Sequence, residues 1–253
     1  MKVLSYNIHK GFSPLGLRST LGRMKTSLQQ LDAELVFLQE VRGHDQRHER
    51  HLIDWPTSSQ VDFLADEVWP HVAYGKNAVF AASHHGNAIL SKHPIVDMVN
   101  VDVSNSRWER RGALHARVAV PGLDEPLHVV CLHLDLRESG RIRQVERLCQ
   151  RIGDGVPPDA PLVVAGDFND WRERISPILA DQLGLVDVFE GLFGAPARTF
   201  PVRRPLLRMD RIYVRGLGVV GAETLTTEPW NRLSDHAAVF AELTPGFPAL
   251  DPG

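Results

Sequence analysis

The chain has 253 residues, 43% of them hydrophobic and 23% charged, with a formal net charge of -3 when the histidines are neutral. That is enough apolar material for a sizeable core, and an α/β chain of this length commonly forms one domain. The acidic balance argues mildly against a protein that coats nucleic acid through an overall basic field, and leaves room for a local basic site.

The opening residues MKVLSYNIHKG hold no apolar run long enough for a signal peptide, and no later stretch approaches membrane-spanning length. A cytoplasmic protein without a transmembrane segment is expected. A strand is predicted at residues 2–8 (KVLSYNI). Leu21, Met24, Leu28 and Leu31 recur at three- and four-residue steps, which predicts a helix, and a strand follows at 33–41 (AELVFLQEV). Val61, Leu64 and Val68 mark another helical stripe. Strands come next at 86–91 (GNAILS), 96–103 (VDMVNVDV), 113–120 (ALHARVAV) and 127–134 (LHVVCLHL). The stripe Ile142, Val145, Leu148 and Ile152 predicts a third helix, with Arg141, Arg143, Glu146 and Arg147 on its polar side. The last strands are predicted at 161–168 (PLVVAGDF), 211–214 (RIYV), 219–225 (VVGAETL) and 236–243 (HAAVFAEL).

Many of these strands follow one another directly, so a repeated βα pattern does not fit. The expected class is α/β, with two mainly antiparallel β-sheets packed face to face and helices outside. No Pro/Gly/Ser-rich linker interrupts the chain, which reads as a single domain over residues 1–253 ending in a loose tail, TPGFPALDPG. Cys131 in an apolar run and Cys149 on a helix face read as buried free thiols.

Several strands end in polar groups where they hand over to a loop. The first delivers Asn7 and His9, the second Gln39 and Glu40. The strand from Leu127 delivers His133 and Asp135, and the one from Pro161 delivers Asp167 and Asn169. Asp210 lies inside LLRMDRIYV, and Asp235 and His236 open the last strand. A lone Asp at a strand end commonly shapes a turn, and a lone His in an apolar strand is commonly a satisfied core residue. Together, these residues share one chemistry. Oxygen ligands from Glu40, Asp235, Asp167, Asn7 and Asn169 suit Mg²⁺ or Mn²⁺, and two histidines with Asp210 suit proton transfer. With no zinc-like cysteine pattern and no Gly-rich phosphate loop, the set points to metal-assisted hydrolysis of a phosphoester.

The order YNIH, LQEV, CLHL, GDFN, MDRIYV and SDH resembles the endonuclease/exonuclease/phosphatase superfamily of DNase I-like nucleases, inositol polyphosphate 5-phosphatases and sphingomyelinases. NIHKGF, HHGNAILS, RRGAL and GDFNDWR are similar to a compact bacterial branch of it. The resemblance runs from Asn7 to His236 and implies a four-layer α/β sandwich with the active site at one edge of the two sheets. It implies that Glu40 is the principal ligand of Mg²⁺ or Mn²⁺, with Asn7 beside it and Asp235 on the metal or its waters. Asp167 would orient or deprotonate the attacking water, and Asn169 would donate to a phosphoryl oxygen. His236 would contact the phosphate with Asp210 fixing its tautomer, and His133 would lie near the leaving group. Either Asp167 or His236 is left as the general base. In the DNase-like members the histidine corresponding to His133 is backed by a glutamate, whereas SHHGN offers His84, His85 and Asn87 and no carboxylate. His133 is therefore expected either as a general acid or as a residue that positions the substrate.

Basic residues flank these motifs: Arg107, Arg110 and Arg111 before one strand, and Arg203, Arg204, Arg208 and Arg211 around Asp210. A guanidinium reads phosphate bidentately, so Arg110 and Arg111 are expected substrate contacts, together with Asn87 and Trp171. The stretch VRGHDQRHERHLIDW reads either as a polar lid over the site or, through His44, His48 and His51, as a zinc-like helical face. Trp171, Trp108 and Trp230 are available to stack on DNA, but the short loops and negative charge fit a small or lipid-linked phosphodiester better. The expected partner is thus a phosphoester (small molecule, lipid headgroup or nucleic acid), and no stable protein partner is implied. A Mg²⁺-dependent DNA nuclease and a non-catalytic binding module are the rival readings.

Overall fold

Leu35 and Phe37, Val129 and Cys131, and Val163 and Ala165 are spaced two apart along their strands, and all six are buried in one layer between two sheets. The computed structural model describes residues 1–16, 18–45, 58–80, 83–106 and 109–245. The first sheet is built from β1 (Lys2–Asn7), β2 (Leu35–Asp45), β3 (His71–Phe80) and β4 (Ser83–Ser91), with two strands from the chain's end. The second takes β5 (Ile95–Asp102), β6 (Gly112–Val118), β7 (Leu127–His133), β8 (Leu162–Asp167), β9 (Val186–Asp187) and β10 (Asp210–Arg215). β11 (Leu217–Leu225) and β12 (Ala238–Pro245) return to the first. The six-stranded orders are β11-β12-β1-β2-β4-β3 and β5-β6-β7-β8-β10-β9.

Each sheet holds one parallel pair at its centre, β1 with β2 and β7 with β8, and is otherwise antiparallel. A parallel pair needs a crossover. The helices α1 (Leu21–Leu31) and, after α2 (Gln60–Ala65), α3 (Glu138–Gly155) lie on the two crossovers. Their apolar stripes cover the outer faces. Met24 and Leu28 pack with Leu4, Tyr6, Val36 and Leu38, and Val145, Leu148 and Ile152 pack with Val130, Leu132 and Val164. Central strands are thus buried on both faces, which is why they read as continuous apolar runs. The result is the four-layer sandwich. Cys131 and Cys149 are both free and buried, and among the described residues no helix is long and apolar enough to cross a membrane.

Several expectations need correction. β3 has no counterpart in the sequence reading: Gly75, Lys76 and Asn77 interrupt its pattern, and it forms as the edge partner of β4 across a register shift. β9, α4 (Ser176–Leu183) and α5 (Val188–Phe193) were also missed, being too short for periodicity to resolve. β2 runs on past Val41 to Asp45, and β12 begins at Ala238, so Asp235 and His236 stand just before it. Val68 lies beyond α2; the neighbouring Trp69 fills the core there, its indole donating to the Ala33 carbonyl at 2.9 Å. Arg141 is not on the polar side of α3 but buried, donating to the carbonyls of Asp135 and Leu136. His48, His51, Arg107, Trp108 and the tail from residue 246 lie outside the described residues.

Candidate active site

The inward rows of four strands turn polar at one edge of the sandwich. Val3 and Ser5 are continued on the same face by Asn7, Val129 and Cys131 by His133, and Val163 and Ala165 by Asp167. Asp210 heads the row Asp210, Ile212, Val214 and stands directly opposite Asp167 in the antiparallel pair β8–β10. The parallel pairs set their ends side by side, His133 next to Asp167 and Asn7 next to Gln39. Gly166 permits the close approach of β8 to β7: a Cβ there would lie 2.0 Å from the Leu132 carbonyl oxygen. This is the physical need behind the glycine of GDFN.

Other site residues are aimed by left-handed backbone. In a regular strand Glu40 would face away from Gln39's side, but it has φ 57 within a register shift between Leu38 and Val41. The bulge turns its carboxylate to within 3.4 Å of Asn7 Nδ2. Asn169 has φ 52; its backbone N–H donates to Asp167 Oδ1 at 2.9 Å and its side chain to the Leu134 carbonyl at 3.0 Å. His9 and Lys10, at φ 47 and 58, form a 3₁₀ turn that sets Lys10 Nζ 3.4 Å from Glu40 Oε2 and His9 Nδ1 3.5 Å from Asp235 Oδ1. Left-handed non-glycine residues each cost on the order of 1 kcal/mol or more, and they concentrate at functional sites.

Asp167 is the hub. Its Oδ2 accepts from Asn7 Nδ2 at 3.0 Å and lies 3.5 Å from His133 Nε2 and 3.8 Å from His236 Nε2. His236 Nδ1 is 2.8 Å from Oδ2 of the fully buried Asp210. Burial drives the Asp167 carboxyl upward and Asp210 adds to it, with His236, Asn7 and the Asn169 amide opposing. Burial alone would lower His236, but Asp210 and Asp167 outweigh it and hold the imidazolium well above the usual histidine range. His133 goes the other way, pushed down to about 3 by burial and by Arg111, so it is neutral at pH 7. Burial would raise Glu40, yet His133 first, then Lys10, the Asn7 amide and His236, hold it down at about 2.

The residues present fit a divalent cation. Glu40 Oε2 and Asp210 Oδ1 are buried without a hydrogen-bond partner, and carboxylate and amide oxygens are the donors Mg²⁺ and Mn²⁺ take. Among the described residues one trio, Asp167, Asp210 and His236, brings its ligand atoms within 4.8 Å of one another and could hold a metal. Asn7 turns its amide nitrogen to Glu40 and Asp167, while its oxygen accepts from the His9 backbone.

The remaining candidates are spread more widely. Asn87 is buried, and its amide donates to the carbonyls of Gly112 and Cys131, tying the two sheets together below the site. Arg111 is half-buried beside His133 and paired with Glu109 at 2.7 Å, and Arg110 is exposed. Trp171 is 44% exposed at the rim, with the Arg172 guanidinium 4.4 Å over its ring. Arg208 pairs with Glu173, whereas Arg211 is buried behind the site, 3.5 Å from Asp187 and donating to the Asp170 carbonyl. With Arg141, 3.8 Å from Asp170, it braces the chain that follows Asn169. Sequence reasoning missed this brace, although the signal was present. Arg141 is in step with Val145, Leu148 and Ile152, and Arg211 shares the face of Tyr213.

A sandwich of two mixed sheets with carboxylates, amides and histidines converging at one edge is a phosphoesterase fold. The model of the Endonuclease/Exonuclease/phosphatase family matches residues 4–236, and the chain belongs to that family, whose members are hydrolases. It is 44% identical over 242 residues to the uncharacterized protein YbhP of Escherichia coli K12, covering 96% of this chain and 95% of that one. Its fold is similar to that of a functionally unknown conserved protein from Enterococcus faecalis V583, at TM-score 0.76 and 21% identity over 97% of this chain and 100% of the other. It is also similar to the Bacteroides thetaiotaomicron mannosyl-6-phosphatase Bt3783, at TM-score 0.69 and 16% identity over 96% and 99%.

Proposed function

We propose that the chain is a divalent-metal-dependent phosphoester hydrolase that cleaves a phosphodiester by in-line attack of water. The convergence of Asn7, His133 and His236 on one oxygen of the buried Asp167 carries the reading. A phosphoester is anionic, so its hydrolysis needs positive charge at the phosphoryl oxygens and a positioned base for the water. His236, kept cationic by Asp210, is the donor to the phosphoryl group. Asp167, made more basic by burial and fixed by the Asn169 amide, orients and deprotonates the water. His133, neutral at pH 7, positions the leaving-group side, with Arg110, Arg111 and Trp171 around the substrate. Glu40 and Asp235, joined by Asn7 once its amide oxygen turns toward Glu40, would hold Mg²⁺ or Mn²⁺, which when bound would polarise the phosphoryl oxygen and stabilise the leaving oxyanion.

The net charge of -3 favours a small or lipid-linked phosphoester over duplex DNA, and the likeness to a mannosyl-6-phosphatase adds sugar phosphates to the substrates worth testing. The test is hydrolysis of bis-p-nitrophenyl phosphate, a hexose 6-phosphate, phospholipid vesicles and supercoiled plasmid with Mg²⁺ or Mn²⁺. Turnover that EDTA and Asp167→Ala both abolish is expected. Activity that survives both refutes the mechanism, and nicking of the plasmid in preference to the small substrates moves the assignment to a nuclease.

A further inference from the structure

The turn His9–Gly11 is held in place more firmly than a connecting loop requires. Lys10 stands at φ 58 between His9 at φ 47 and Gly11 at φ 81. A Cβ on Gly11 would come 2.6 Å from Leu21 Cδ2, and the Gly11 carbonyl accepts from the Thr20 backbone N–H at 2.9 Å. The Lys10 carbonyl accepts from Gln60 Nε2 at 2.8 Å. The same buried Gln60 accepts through Oε1, also at 2.8 Å, from the backbone N–H of Arg42, two residues beyond Glu40. One glutamine side chain therefore fixes the Lys10 backbone relative to the bulge that aims Glu40.

The outcome of this clamping is an ammonium 3.4 Å from a Glu40 oxygen that has no hydrogen-bond partner. The Lys10 side chain is 38% exposed. A partly exposed ion pair adds little to stability, and left-handed non-glycine residues detract from it. Packing therefore does not account for the turn. Lysine supplies a compact point charge with three rotatable donors, which suits a non-bridging phosphoryl oxygen.

We propose that Lys10 is a phosphoryl-binding residue, a fixed cation of the protein that stands beside Glu40 and shares the neutralisation of the substrate with the divalent ion. This rests on the hydrolase reading above. It makes two demands of opposite sign: Lys10 repels the metal that Glu40 attracts, and it attracts the phosphate.

The experiment titrates full-length wild type, Lys10→Met, Lys10→Arg and Lys10→Gly with Mn²⁺ by calorimetry, then with inorganic phosphate at saturating Mn²⁺. Lys10→Met is expected to bind Mn²⁺ roughly 3- to 10-fold more tightly, because a competing positive charge is gone. It is expected to bind phosphate about 10- to 100-fold more weakly, the loss of one charge-assisted hydrogen bond. Lys10→Arg restores most of the phosphate affinity. Lys10→Gly, which relieves the left-handed strain, keeps or exceeds the wild-type melting temperature and shares the phosphate defect. Loss of Mn²⁺ and phosphate affinity together in Lys10→Met would mean a structural role and overturn the proposal, as would unchanged phosphate affinity or a lower melting temperature in Lys10→Gly. A wild type that turns over no phosphoester defeats the hydrolase reading instead, since both titrations judge Lys10 without turnover.

Discussion

Replacing Asp210 by Asn keeps the shape of the His236 partner and removes its charge. The contact is 2.8 Å long, between a fully buried carboxylate and a ring that is 9% exposed, so solvent screens it little. A hydrogen bond to a charged group contributes about 1.5–3 kcal/mol and a neutral one about 0.5–1.5. Asp210→Asn therefore takes roughly 1–1.5 kcal/mol from the imidazolium, which lowers the His236 pKa. The imidazolium remains charged near pH 7 but is held less firmly, so kcat/KM should fall by about 10-fold. The pH dependence has a definite sign. His236 is raised above its unfolded value, so its charge contributes stability that is fully present below about pH 6.5 and lost as pH rises through the folded pKa. The stability gap between wild type and Asp210→Asn is thus widest in acid and narrows as pH rises. Side-chain ¹⁵N NMR of His236 in the metal-free proteins, urea melts across the same pH range and hydrolysis of bis-p-nitrophenyl phosphate measure all three. A His236 titration that is identical in the two proteins refutes the pairing argument.

Arg211→Met leaves Asp187, whose carboxyl burial already pushes up to about 6, without its counter-charge. Breaking such a buried pair should cost about 3–5 kcal/mol in urea unfolding; a loss under about 1 kcal/mol would mean that the brace contributes little. Gly166→Ala puts a methyl 2.0 Å from the Leu132 carbonyl and should destabilise by at least about 3 kcal/mol or prevent folding, which circular dichroism of the purified variant reads directly. At the far end of the second sheet, His115 Nε2 lies 3.0 Å from His128 Nδ1 in a cleft of about 880 Å³ that also takes in Asp97, Arg117 and Arg151. Burial and His128 push His115 down to about 4, so its contribution is fully present above about pH 6.5 and fades as pH falls to about 4. With solvent screening this amounts to roughly 2 kcal/mol, and His115→Gln should flatten the acid limb of the melting-temperature profile; an unchanged limb would assign the loss elsewhere.

Much of the site was legible because a strand's side-chain period is two. Asn7, His133, Asp167 and Asp210 continue or begin rows whose other members are core residues, and each stands where an apolar run breaks. The edge strand β3 was not legible, because its Gly-Lys-Asn centre reads as a turn until β4 supplies a partner. By charge Arg141 and Arg211 read as surface residues, yet both sit at apolar positions of their elements, and burial is tolerable there only because Asp170 and Asp187 come from elsewhere in the chain.

By itself, then, the sequence determined two sheets with helices outside and a set of polar strand ends suited to phosphoester chemistry, since alternation and motif order are local properties. The tertiary structure alone decided which of those ends meet. Asp167 comes to His236 and Asn7 across 69 and 160 residues of chain, through pairing of strands that no local pattern specifies. It also decided the aim of Glu40, Asn169 and Lys10, whose left-handed backbone is strained in isolation and persists because bulges, close packing and the Gln60 clamp hold it.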